Sequence, residues 1–342
     1  HSFWSTLTDL FRGNMGQKMK RPLLSLVLIV LGVLCLSMPA RAWDDVGHKL
    51  TAYIAWQNMT PETRGRVIEI LRAAPEDSQL ATFYMSYGSQ SKAEREREFF
   101  VMIASWADFI KDKGFPVRYK TYSNSNWHYS DTFWHFDEGK VVMDADVEKN
   151  GLAMDKLDEF NKLIRSSASD KEKAIAVAWL VHIIGDIHQP LHVSAKTTKA
   201  FPKGDQGGNL FFLTPKGTPR DEQMNLHGFW DSIIDRTVPN SKDECDAAYL
   251  DPMGDKIMAA YSREKLQNNL EPGEFSKWKD ESLDIATTVA YRNIEFFKKP
   301  SDDYQQKAFR ISERQIALAG YRIADLFNSA FGTAPGKEAA GK

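Results

Sequence analysis

His182 and Asp186 stand four residues apart in VHIIGDIH, and His227 and Asp231 repeat that spacing in NLHGFWD. Residues at i and i+4 share one face of a helix, so each pair presents an imidazole and a carboxylate side by side. Such a pair has the chemistry to bind one metal, or two metals through its two carboxylate oxygens. Imidazole nitrogen with carboxylate oxygen is a donor set that suits zinc. One pair alone reads most simply as a surface ion pair. Two pairs, joined by His192 six residues past Asp186 and just beyond Pro190, point instead to a metal centre.

The elements that must position these residues read as helices. Apolar residues recur at helical spacing over 47–59. Thr60-Pro61-Glu62 is an N-cap followed by proline at the first helical position, and it opens a helix through Arg72. Further helices are expected over 92–113, 155–166, 171–187, 220–235, 255–267, 275–297 and 304–329, with a short strand over 209–213. Pro190 ends the helix that carries His182 and Asp186, and the chain then loops through Lys203-Gly204-Asp205-Gln206-Gly207-Gly208. No internal repeat and no linker divides the sequence. The expectation is one all-α domain over 43–331, with residues 332–342 as a small polar tail.

Residues before 43 are expected to lie outside that domain. Lys18, Lys20 and Arg21 precede a continuous apolar run, LLSLVLIVLGVLCLS, and Ala40-Arg41-Ala42 is a small-x-small cleavage signal. This three-part pattern is that of a secretory signal peptide, and the run is short against the roughly 20 residues a bilayer span needs. Residues 1–14 precede Met15 and Met19, either of which could open translation, and are set aside. Cleavage after Ala42 leaves 300 residues, and the net charge moves from −2 to −6 because the leader carries five basic residues and one acid. An acidic chain lacks the broad basic surface of a duplex-binding protein, unless bound cations supply positive charge locally. Cys35 falls in the leader and Cys245 stands alone after it, which rules out an intramolecular disulfide in the cleaved chain. Its stability must come from the core, from metals or from both.

Cleavage at this point would also give Trp43 a free α-amino group, five residues before His48. A neutral amine and its own carbonyl oxygen chelate a metal in a five-membered ring. Trp43 reads equally as an ordinary core anchor.

Six blocks now stand in order: WDDVGH at 43–48, ASWAD at 104–108, WHYSD at 127–131, VHIIGDIHQPLH at 181–192, GDQGGN at 204–209 and NLHGFWD at 225–231. Together they resemble the zinc-dependent type I nucleases, the single-strand-specific nucleases and 3′-nucleotidases of fungi, plants and bacteria. WKDES at 278–282 and ALAGYRIADLFN at 317–328 are weaker echoes, so the resemblance spans nearly the whole cleaved chain. It implies a mainly helical fold of the phospholipase C type and a cluster of three zinc ions. By resemblance, one zinc is held by Asp108, His128, His182 and Asp186. A close partner is held by the Trp43 amine and carbonyl, His48 and the other oxygen of Asp186. A third is held by His192, His227 and Asp231. His188 and His135 are left with structural roles.

The resemblance further implies hydrolysis of phosphodiester bonds in single-stranded RNA and DNA, with 3′-phosphate removal from nucleotides. Asp108 would hold the attacking hydroxide, Lys111 would meet charge on the phosphate, and Asn209 would lie near the scissile phosphate, with Gly207 and Gly208 permitting close backbone approach. Tyr129 would stack on the base and Asp131 would hydrogen-bond its edge; a base must be unpaired to stack this way. The enzyme is expected to be secreted or periplasmic, monomeric and free of any membrane anchor once cleaved. A zinc phospholipase C would share the N-terminal tryptophan and the three-zinc layout. The WHYSD and GDQGGN blocks favour the nuclease, since a choline-phosphate pocket has no need of them.

Overall fold

The computed structural model describes residues 43–85, 90–145 and 147–332. The expected leader, the cleavage point after Ala42 and nearly all of the expected tail lie outside them. The helices in chain order are α1 (Asp45–Asn58), α2 (Pro61–Arg72), α3 (Lys92–Ile103), α4 (Trp106–Phe109), α5 (Pro116–Tyr122) and α6 (Ala153–Ile164). They continue as α7 (Asp170–His188), α8 (Leu226–Asp231), α9 (Ile233–Thr237), α10 (Asp246–Ala260), α11 (Phe275–Ile285) and α12 (Asp302–Phe331).

Their starts follow from side chains that satisfy the first free N–H groups. The Asp44 carboxylate accepts from Gly47 N at 3.0 Å and opens α1. Thr60 accepts from Thr63 N at 3.2 Å, ahead of Pro61, as its sequence position predicts. Ser91 with Glu94 and Ser169 with Glu172 form reciprocal capping boxes at α3 and α7.

The fold is organised around α7. Every residue of it from Ala176 to His188 is buried, and a helix buried on all sides is a core element rather than a surface one. Helices α2, α6 and α12 pack against it, and α12 packs in turn along α1. That last contact is close: a Cβ added at Gly320 would lie 2.6 Å from Ile54 Cβ. Trp106, Trp134, Trp179, Trp230 and Trp278 are fully buried around this centre, and truncating any one to alanine is expected to cost about 3–5 kcal/mol.

The mainly helical class expected from sequence holds, with one addition. A three-stranded sheet of order β2-β1-β3 is built from β1 (Thr132–Asp137), β2 (Lys140–Met143) and β3 (Ser194–Lys196). β1 pairs antiparallel with β2 and parallel with β3, in the register Thr132 to Ser194. That parallel pairing sets His128, just before β1, beside His192, just before β3.

Other boundaries differ from expectation for local reasons. The helix expected over 92–113 breaks at Ala104–Ser105 and resumes as α4. The segment expected helical from 220 is a single 3₁₀ turn until Asn225, whose side chain accepts from Gly228 N at 2.7 Å and starts α8. The strand expected over 209–213 reduces to one isolated bridge, Phe212 to Asn225. Helix α10 begins nine residues before the expected 255 and runs through Pro252. The helix expected over 275–297 ends its α-helical part at Ile285 and continues as a π turn to Ala290. No helix among the described residues is long and apolar enough to cross a membrane.

Candidate metal centre

Three groups of histidine and aspartate come together at the buried end of α7: His48 with His182 and Asp186, Asp108 with His128 and His182, and His192 with His227 and Asp231. Six elements supply them. His48 comes from α1, Asp108 from α4, His128 from the turn before β1, and His182 and Asp186 from α7. His192 comes from the 3₁₀ turn Pro190–Val193, and His227 and Asp231 come from α8.

In the first assembly the Asp186 carboxylate is central. One oxygen lies 3.3 Å from His48 Nε2; the other lies 3.1 Å from His128 Nδ1 and 3.4 Å from His182 Nε2. Asp108 Oδ1 is 3.9 Å from His182 Nε2 and accepts from the Lys111 ammonium at 2.7 Å. The break between α3 and α4 now has a purpose. It leaves the Ala104 carbonyl out of the helical ladder, and His182 Nδ1 donates to it at 2.7 Å. A carbonyl only accepts, so the proton is fixed on Nδ1 and the Nε2 lone pair faces the aspartates.

In the second assembly the same device appears twice. His192 Nδ1 donates to the His128 carbonyl at 2.7 Å, and His227 Nδ1 donates to the Gly207 carbonyl at 2.8 Å. The two Nε2 atoms face each other at 3.1 Å, with Asp231 oxygens 3.5 and 3.8 Å away. Two imidazole nitrogens and a carboxylate converging in this way form a donor set for a cation. The Gln189 amide donates to Asp231 Oδ1 at 2.6 Å and fixes that carboxylate.

The donor set and its surroundings fit bound divalent metal. Both ring nitrogens of His48, His128 Nε2 and Asp186 Oδ1 are buried without a hydrogen-bond partner among the described residues. Buried polar atoms are rarely left so. Burial holds the imidazoles of His48, His128 and His192 well below their ordinary pKa, and that of His182 falls to about 4. They are neutral, as ligands must be. Burial also pushes the carboxyls of Asp186 and Asp231 well up, a cost that a neighbouring cation reverses.

Trp43 is fully buried beside this cluster. Its side chain packs on Gly47, where a Cβ would come within 2.8 Å of Trp43 Cβ, and near Gly185, whose added Cβ would lie 2.9 Å from His48 Nδ1. The backbone of Asp44 donates to the Asp231 carbonyl at 3.1 Å, which ties the start of the described chain to α8.

Next to His128 lies a polar side-chain cluster. The Tyr129 hydroxyl donates to Asn150 Oδ1 at 3.3 Å, and Asn150 Nδ2 donates to Asp131 Oδ2 at 2.7 Å. Gly151, at φ +86°, lies flat against Tyr129; a Cβ there would be 2.6 Å from its ring. Burial raises the Asp131 carboxyl to about 7. The Lys279 ammonium on α11 reaches the Ser130 hydroxyl at 3.4 Å.

The sequence-derived residues thus come together, with two refinements. Gly207 and Gly208 are buried rather than surface-lining. Gly207, at φ +60°, would place a Cβ 2.3 Å from the Leu191 carbonyl, so its freedom serves the close packing that aims His227. The Asn209 amide donates to the Gln206 carbonyl at 2.9 Å, and its oxygen accepts from Asn225 at 3.4 Å. His188 is buried, donating from Nδ1 to the Ile184 carbonyl and accepting from Arg322 at Nε2. His135 bonds Asp144 at 2.7 Å. Sequence reading missed Gln189, Asn150, Gly151 and Lys279. Gln189 alone had a local signal, standing between the ligand-bearing helix and Pro190; the others meet the site only through tertiary packing.

Comparison with known proteins gives a consistent answer. The model of the S1/P1 nuclease family matches residues 43–332. Nuclease S1 of Aspergillus oryzae is 25% identical over 323 residues, covering 87% of this chain and 95% of the relative. Nuclease P1 of Penicillium citrinum is 25% identical over 308 residues, covering 85% and 98%. Endonuclease 4 of Arabidopsis thaliana is 24% identical over 329 residues, covering 91% and 94%.

Proposed function

The chain belongs to the S1/P1 nuclease family, a zinc-dependent family of phosphodiester hydrolases, and on that premise we propose a specific activity for it. It is an endonuclease that cleaves single-stranded RNA and DNA to 5′-phosphorylated products and removes 3′-phosphates from nucleotides. The observation that carries this reading is the grouping of His192, His227 and Asp231 next to the buried assembly around Asp186.

Three zinc ions would be held as follows: one by Asp108, His128, His182 and Asp186; one by the Trp43 amine and carbonyl, His48 and Asp186; one by His192, His227 and Asp231. The grouping of the side-chain donors supports this division. Bound zinc supplies Lewis acidity, lowering the pKa of water toward neutrality and screening phosphate charge.

The protein's own groups orient the reaction. Asp108, held by Lys111, accepts a hydrogen bond from the attacking water and fixes its direction. Lys111, at the rim of the cluster, meets the negative charge that develops on the phosphoryl oxygens. Asn209 keeps a second amide hydrogen for the phosphate, and the buried Gly207 and Gly208 hold that loop close to the cluster. Tyr129 stacks on the base and Asp131 accepts from its edge. Stacking of this kind is worth about 1–3 kcal/mol and requires an unpaired base. The acidic cleaved chain is compatible with such a substrate because bound cations would supply positive charge for the phosphate locally.

The enzyme would reach the periplasm or the exterior through cleavage after Ala42 and act there as a monomer. The test is metal analysis of the purified cleaved protein combined with digestion of matched single-stranded and duplex DNA. Three zinc ions per chain and selective loss of the single strand are expected. Equal rates on both DNAs would remove the base pocket from the reading.

A further inference from the structure

Lys279 stands on α11, and its ammonium reaches the hydroxyl of Ser130, the residue between Tyr129 and Asp131. Ser130 itself is buried, its amide donating to the His192 carbonyl at 2.9 Å, so the lysine is brought up to the inner wall of the Tyr129 pocket. Asp131 offers one oxygen to Asn150 at 2.7 Å, and its other oxygen has no hydrogen-bond partner among the described residues. No ion pair joins Lys279 and Asp131 among the described residues, although each feels the other's charge. Two opposite charges, both drawn partly out of water on neighbouring positions, are thus left apart.

We propose that Lys279 and Asp131 together read guanine, the lysine donating to the ring carbonyl while the carboxylate accepts from the two adjacent N–H groups. The proposal rests on the reading of Tyr129 as the stacking surface and adds the specificity of that surface. Guanine is the one standard base whose pairing edge carries two parallel N–H donors beside a carbonyl. It makes three charge-assisted hydrogen bonds with this pair. Adenine, cytosine, uracil and thymine offer at most one donor next to one acceptor and make two. Burial raises the Asp131 carboxyl to about 7, and against it Asn150 and Lys279 favour the ionised form, which is the form that accepts. A buried polar group left unmatched by the wrong base is the stronger part of such discrimination.

The experiment uses the zinc-loaded, cleaved enzyme on dinucleoside phosphates that differ only in the base whose 3′-oxygen leaves, with bis-nitrophenyl phosphate as a substrate without a base. The wild type is expected to favour guanine in kcat/KM by roughly 10- to 100-fold, the size of a charged hydrogen bond. Lys279→Met should lower kcat/KM on guanine, mainly through KM, by the bond that it donates, leave guanine ahead only through its second N–H bond to Asp131, and leave the baseless substrate unchanged. Lys279→Arg should keep part of the preference. A wild type without guanine preference overturns the proposal. So does a Lys279→Met enzyme that loses as much on bis-nitrophenyl phosphate, since the lysine would then support the metal centre. A wild type that hydrolyses bis-nitrophenyl phosphate but no dinucleotide would sink the nuclease reading itself, and the proposal with it.

Discussion

The Nδ1–H of His192 donates to the main-chain carbonyl of His128 at 2.7 Å, and so one bond joins the two halves of the metal centre. His128 belongs to the group around Asp186 and His192 to the group around Asp231. The parallel pairing of β1 with β3 holds the two segments in register, and the Ser130 amide returns a bond to the His192 carbonyl at 2.9 Å. The small sheet is therefore the frame of the site, and through Trp134 it also enters the core.

Because donors from six elements meet there, metal and fold are linked. Removing zinc with a chelator is expected to abolish activity and to lower the melting temperature. A ligand at a hundred times its Kd adds about 2.7 kcal/mol, and each kcal/mol is roughly 2–4 °C for a large domain, so a fall of about 5 °C or more is expected. Scanning calorimetry before and after chelation measures it. An unchanged transition in verified zinc-free protein would mean that the donors meet without metal.

Metal binding should also release protons in a way that the buried groups define. The imidazoles of His48, His128, His182 and His192 have lowered pKa values and are already neutral near pH 7, so they release none. The carboxyls of Asp186 and Asp231 have raised pKa values in the metal-free protein, so they are the groups that shed protons when a cation arrives. The sign follows: affinity rises with pH until both carboxyls are ionised without metal, then levels off. Titration calorimetry in two buffers of different ionisation enthalpy counts the protons. The Trp43 α-amine and a zinc-bound water can each add a proton to that of the carboxyls, so about four or fewer per chain near neutrality fit this assignment; a larger number would show that the histidines start out protonated.

Much of this site was legible in the sequence. The spacings of His182 to Asp186 and His227 to Asp231 announce a shared helix face, and both pairs do share one. The capping residues Thr60, Ser169 and Asn225 fix helix starts locally, although Asn225 was read as helix interior. What local pattern does not encode is why α3 stops at Ile103. That break serves a hydrogen bond from His182, 78 positions away. Strand β3 is three residues long and takes its order from β1, so no period of its own marks it. Lys279 and Asn150 reach the pocket through packing between distant elements, and nothing in their neighbours in sequence points there.

The role of Trp43 tests maturation. A protein verified by mass spectrometry to retain the Ala42–Trp43 bond has an amide where the amine ligand should be, and an amide nitrogen is a poor zinc donor. It is expected to fold with its core intact, to bind fewer than three zinc ions and to cleave far more slowly. Full zinc content and full activity in that protein would take Trp43 off the ligand set and leave it as the core anchor that its burial already makes it.

Chemistry and recognition separate at two neighbouring positions. Asp108 lies 3.9 Å from His182 Nε2 and 2.7 Å from Lys111, inside the cluster. Tyr129 lies beside a ligand but turns its hydroxyl to Asn150, outside it. Asp108→Asn removes a negative donor and the acceptor that aims the water, so turnover should collapse on every substrate. Tyr129→Ala removes only the stacking face, worth about 1–3 kcal/mol, or roughly 5- to 150-fold in kcat/KM on nucleotide substrates. Bis-nitrophenyl phosphate has no base to stack. It should lose nearly everything in Asp108→Asn and little in Tyr129→Ala, with zinc content unchanged in the latter. Equal losses on both substrates in Tyr129→Ala would mean that the ring braces His128 through the packing around Gly151, and the preference for single strands would then need a different surface.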